Sequence, residues 1–200
     1  MTASADIAIT LDFRTTQAAA ARVRQRLLRL KRRFDLSAFE YCKQVRVAPV
    51  EIPHSHPKIT LNTWVRGDED LLATYLHEQL HWYATWFAHA HARAWRELMR
   101  ALRARYPRAP VGQPDGGPDG FSTYLHLVVN WLEIETAGRF VGRRAVVRHV
   151  RALPYYRWIY AAVIRDRQAL GGLFRAAGLL PVRPATAMSP EDLRLAARGN

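Results

Sequence analysis

The stretch that most restricts what this chain can fold into is Tyr-Leu-His-Leu-Val-Val-Asn-Trp-Leu-Glu-Ile, residues 124–134. Its spacing predicts a helix over about residues 122–141, with Leu125, Leu127, Val128, Val129, Trp131, Leu132 and Ile134 on most of its sides. A helix that is apolar nearly all round has to be surrounded by other elements. It nevertheless carries His126, Asn130 and Glu133 on one face, at steps of four and three. Burying an imidazole and a carboxylate without partners is costly, so this row requires something opposite it.

A partner is written into residues 73–82, Ala-Thr-Tyr-Leu-His-Glu-Gln-Leu-His-Trp. On a helix His77 and His81 stand one turn apart on the same face. Both imidazoles can then reach one metal ion without bending the backbone. Glu78 leaves the helix in a neighbouring direction, within reach of a water on that metal. This is the arrangement of a zinc hydrolase, with two nitrogen ligands and a carboxylate general base. The row along the histidines reads Ala73, His77, His81, Ala84, Ala88, and its small residues leave room over a metal. Leu72, Tyr75, Leu76, Leu80, Tyr83, Trp86 and Phe87 bury the other faces.

The third ligand is open between Glu133, the favoured one, and His126, with His54, His56 and Glu135 behind them. His126 and Glu133 are two turns apart, about 10 Å along the axis, so one ion takes only one of them. The other then orients a ligand or contacts the reacting oxyanion. His54 and His56, two apart in a Pro-bounded loop, read first as polar loop groups. Glu135 points to the opposite side, toward solvent.

Two hundred residues, 49% of them hydrophobic, suit one compact domain over residues 1–180, with 181–200 as a tail bearing a short helix capped at Ser189-Pro190. No run approaches eighteen apolar residues, so no membrane-spanning helix is expected. Residues 1–12 lack a basic stretch followed by an apolar one, which argues against a secretory signal. Cys42 is the single cysteine, which excludes an internal disulfide and a Cys-rich zinc knuckle. A reducing, cytoplasmic location is the expectation. The formal charge of +13 is nearly all arginine. It would attract nucleic acid or an anionic membrane, but no nucleic-acid-binding motif is visible, and charge spread over solvated faces is the plainer account.

Taken in order, residues 6–13 alternate Ile7, Ile9, Leu11 and Phe13 with polar or small neighbours and predict a strand. A basic amphipathic helix opens at Thr15 or Thr16 and runs to about Arg33, with Val23, Leu27, Leu30 and Phe34 as its stripe. Residues 44–52 predict a second strand, weakened by Pro49, and residues 58–65 a third. Asp68, Glu69 and Asp70 start the His77–His81 helix, which is expected to continue unbroken to about Tyr106 before Pro107. The Gly- and Pro-rich residues 109–120 predict a loop and a candidate cleft rim. Arg143 to Arg151 form a turn or helix, and another helix runs from beyond Tyr156 to Ala177. The fold class is α+β: a small N-terminal β-sheet packed on a mostly helical body.

The helix carrying His77, Glu78 and His81 resembles the active-site helix of the zincin metalloproteases. With Glu133 as ligand the chain would be similar to the gluzincin branch, although Leu132 and Ala137 stand where that branch has Asn and Asp. Ala84 and Phe87 exclude the metzincin pattern. Residues 56–63 followed by 77–82 also resemble a group of uncharacterised bacterial zincin-like proteins. The resemblance implies a zinc-dependent peptidase acting on a peptide or protein substrate, with Glu78 as general base. It implies that the preceding strand, through Lys58, Thr60 and Asn62, holds the substrate as an added strand. It also implies a stabiliser of the tetrahedral intermediate, for which Tyr155, Tyr156 and His126 are candidates. Two rivals stand beside this reading. One is a nucleic-acid-associated protease similar to the SprT-like group, and the other a non-catalytic binding protein whose zinc only pins two helices.

Overall fold

A computed structural model describes residues 7–11 and 17–199. The expected strand ends at Asp6, Asp12 and Phe13, and the helix start at Thr15 or Thr16, lie outside them. The described chain is α+β, mostly helical with one small sheet. It falls into two compact units, one comprising Met1–Trp86 with Arg183–Asn200 and the other Phe87–Val182.

In the first unit, β1 (Ala8–Leu11), β2 (Gln44–Val47) and β3 (Ile59–Leu61) make a parallel sheet in that order. Ala8 pairs with Gln44 and Val45 with Ile59. Parallel neighbours need a crossover, and α1 (Gln17–Arg33) supplies it between β1 and β2. Ala20, Val23, Leu27 and Leu30 are buried along its inner stripe. Strands β2 and β3 are shorter than their patterns predict. Pro49 sits in the turn after β2, and the turn leaves Val50 and Ile52 72% and 76% exposed rather than on a sheet face. Next comes α2 (Asp68–Ala90), with Asp68, Glu69 and Asp70 in its first turn.

The segment expected to be a tail is built into this unit. Tyr41 donates its hydroxyl to Arg183 O at 2.8 Å, and Trp86 Nε1 donates to Asp192 at 2.8 Å. Helix α8 (Pro190–Ala196) opens on a capping box in which Ser189 Oγ accepts from Asp192 N and Asp192 accepts from Ser189 N. Such reciprocal caps satisfy backbone donors that the first turn of a helix leaves over.

In the second unit, α3 (Ala92–Arg105) follows a break at His91, whose φ of −127° and ψ of 48° leave the helical region. The single long helix expected over residues 68–106 is therefore two, and no Pro or Gly marks the break. The central element is α4 (Gly120–Val141), buried along most of its length and packed against α3, α5 (Arg143–Arg151) and α6 (Arg157–Arg165). A second break at Asp166 separates α6 from α7 (Arg167–Ala176), and the Asp166 carboxylate accepts from Tyr106 OH at 2.8 Å. The loop before α4 is stitched to it. Thr123 Oγ1 donates to Pro110 O and accepts from Gly117 N, both at 2.9 Å. A Cβ on Gly116 would stand 2.1 Å from Pro110 O, so only glycine permits that approach.

Among the described residues, no helix is long and apolar enough to cross a membrane. Replacing Ser189 with Ala removes the cap of α8. It is expected to cost about 1 kcal/mol, seen as a Tm lower by roughly 2–4 °C in a thermal melt.

Candidate metal centre

Helix α2 is buried almost throughout, from Leu71 to Trp86. Its polar side chains therefore need partners inside the protein, and the structure supplies a chain of them within the first unit. The Gln79 carboxamide pairs with the backbone of Cys42, Oε1 accepting from its N–H at 2.9 Å and Nε2 donating to its C=O at 2.7 Å. Gln79 Nε2 also donates to Tyr75 OH at 3.0 Å, and that hydroxyl donates to Glu40 at 2.9 Å. Glu40, 5% exposed, is neutralised by Lys31 at 2.7 Å. Burial, and then the adjacent Glu40 carboxylate, hold the Tyr75 hydroxyl well above its ordinary pKa, so it remains a donor. This network fixes the rotation of α2 about its own axis.

With the rotation fixed, His77 and His81 converge. Their Nε2 atoms lie 3.2 Å apart and their ring centroids 4.9 Å, with the planes at 68°. His81 is 8% exposed and Glu78, on the next direction round the helix, 5%.

In the second unit His126 is held by its own helix. Its Nδ1 lies 2.7 Å from Ser122 O. A carbonyl only accepts, so Nδ1 carries the proton and the neutral ring keeps its lone pair on Nε2. The ring of Tyr156 lies against it, centroids 4.3 Å apart. Tyr156 has a φ of 54°, in the left-handed region that non-glycine residues rarely occupy, immediately before α6. Tyr155 is 39% exposed and meets Tyr156 edge-on.

His77, His81 and His126 each offer one ring nitrogen, and these nitrogens lie within 4.8 Å of one another, close enough to hold a metal ion. Glu133 is not in that group. It is buried on α4 and accepts from Tyr160 OH at 2.9 Å, while burial and the Glu133 charge push that hydroxyl well above its ordinary pKa. His54 Nδ1 lies 2.9 Å from Ile52 O. His56 stacks on Trp82 at 4.6 Å, and its Nε2 lies 2.9 Å from Ala196 O. Glu135, expected to face solvent, forms a two-pronged ion pair with Arg167 at 2.5 and 2.6 Å.

Of the residues expected along the substrate strand, Thr60 is fully buried, and both its backbone groups are engaged. Its N–H donates to His54 O at 2.8 Å and its C=O accepts from His54 N at 3.2 Å. Asn62 is 5% exposed and its side chain accepts from Trp64 N, while Lys58 is partly exposed.

Gln79 is the residue that the motif reading passes over. The signal that could have found it is a carboxamide inside an otherwise apolar stretch of a buried helix. No family model matches this chain, and neither a curated protein nor a solved structure does. Gln79→Leu removes both bonds to Cys42 and leaves a buried N–H and C=O unmatched. Urea unfolding is expected to show a loss of about 1–3 kcal/mol.

Proposed function

We propose that this chain is a zinc-dependent metallopeptidase, with His77, His81 and His126 as metal ligands and Glu78 as general base. The observation that carries the reading is the approach of His77 Nε2 and His81 Nε2 to 3.2 Å on a helix whose rotation is fixed. Two imidazole nitrogens one helical turn apart and this close can both reach a single cation. His126 fits the same ion, because its tautomer puts the lone pair on Nε2 and the Ser122 carbonyl raises the basicity of the ring. Three neutral nitrogens with no thiolate suit zinc among the common divalent ions and leave a fourth position open. In this reading His126, rather than Glu133, completes the set.

A zinc ion held there supplies Lewis acidity and lowers the pKa of water. Glu78, buried beside the histidines, takes a proton from the attacking water and delivers it to the leaving amine. Its low exposure keeps bulk water from screening the charges that develop. Tyr156, whose ring lies against His126, is the candidate donor to the developing oxyanion. The peptide bond as substrate rests on the likeness of the His-Glu-x-x-His helix to that of the zincins.

The test compares metal content and hydrolysis of a fluorogenic unfolded protein by the zinc-loaded chain and two variants. Glu78→Gln is expected to keep zinc at the wild-type stoichiometry and to lower kcat/KM by on the order of 10²–10⁴. His81→Ala is expected to lose the zinc. Equal loss of metal from both variants would contradict the role of Glu78, and zinc binding without hydrolysis of any peptide would sink the peptidase reading.

A further inference from the structure

Between Glu135 and Asp166 the chain contains seven arginines and no acidic residue. The structure gathers several of them on one side of the second unit, along α5 and α6. Arg144, Arg148 and Arg151 fall at steps of four and three on α5, so they share a face, and all are exposed. The arginines around them are matched: Arg143 with Glu135, Arg157 with Asp115 and Arg165 with Asp166. Among the described residues Arg144, Arg148 and Arg151 make no such ion pair.

These three guanidinium groups border a hollow of 690 Å³ floored by Val147 and Ile164. A second hollow of 360 Å³ shares Arg151 and Ile164 with it and continues toward Arg157 and Arg165. The two form one groove along α5 and α6, bordered by arginines and apolar over most of its lining. From Arg144 to Arg151 the helix advances about 10.5 Å, an axial length over which one strand of a duplex presents about three phosphates, at about 3.4 Å of rise each.

We propose that this groove binds the phosphate backbone of a nucleic acid, with Arg144, Arg148 and Arg151 as its phosphate contacts. Guanidinium forks match phosphate oxygens two at a time and keep their charge at every physiological pH. An anionic bilayer suits the face less well. The exposed large apolar side chains of the described residues are Val50, Ile52, Trp64, Val111, Phe121 and Tyr155, none of them on α5 or α6. Only Tyr155, in the connection between the two helices, lies near that face, which leaves it little to insert among lipid tails. The contacts are to phosphate alone, so binding is strong in low salt and indifferent to base sequence. Metal plays no part in it, and the site stands or falls independently of the peptidase reading.

The test is fluorescence anisotropy of a labelled DNA duplex with the full chain, titrated with salt and repeated in the presence of a chelator. One variant carries Arg144→Gln, Arg148→Gln and Arg151→Gln. A second removes the same charge elsewhere through Arg22→Gln, Arg29→Gln and Arg32→Gln, all exposed on α1. The wild type is expected to bind with an affinity that falls steeply with salt. The α5 variant is expected to bind at least about tenfold more weakly at low salt, with a log–log salt slope smaller by roughly 2–3. The α1 variant is expected to stay near wild type. Equal weakening by both variants would reduce the effect to net charge and overturn the proposal. So would a wild type that fails to bind DNA in low salt, or one that binds only phosphatidylserine vesicles.

Discussion

A helix enclosed on nearly every side can carry polar residues only where each is matched, and α2 lives under that constraint. Its answer is Gln79, whose carboxamide closes on the N–H and C=O of Cys42 as a neighbouring strand would. From there the matching passes through Tyr75 and Glu40 to Lys31 on α1. A shift of α2 by one residue would turn it by about 100° and take the Gln79 carboxamide and the Tyr75 hydroxyl away from Cys42 and Glu40. The directions in which His77, Glu78 and His81 leave the helix are thus set by a residue with no metal-binding chemistry of its own.

The histidines show how backbone carbonyls decide what an imidazole is for. His126 gives its Nδ1 proton to Ser122 O, which leaves Nε2 as the nitrogen that can accept. His56 makes the opposite assignment: Nε2 faces Ala196 O, Nδ1 faces Ser55 Oγ, and the ring lies flat on Trp82. Burial depresses the His56 pKa, so this ring stays neutral as a strut between the loop and α8. The two rings thus differ in which nitrogen a carbonyl takes.

Much of this architecture is legible in the sequence, because hydrophobic periodicity survives translation into packing. The stripe of α1, the all-round apolar character of α4 and the acidic first turn of α2 each predict the element that forms. The His77–His81 spacing predicts the convergence of their nitrogens, since four residues on a helix is a local matter. What depends on distant parts of the chain was not legible. Nothing local marks the break at His91 or separates α6 from α7 at Asp166. Strand β2 ends early because the chain turns away at Pro49 and comes back to bridge Thr60 from His54. Weighing Glu133 against His126 needed the knowledge that Tyr160 stands beside the first and the Ser122 carbonyl beside the second.

The placement of α8 bears on the order in which the protein can be made. Trp86 and His56 close onto Asp192 and Ala196, so the first unit is assembled from both sides of the second in sequence. During synthesis, residues 87–182 emerge whole and can fold as a unit of their own. The sheet and the motif helix, although translated earlier, gain their contacts with α8 only after residues 183–196 have been made. The unit whose synthesis begins first is the one whose chain is completed last.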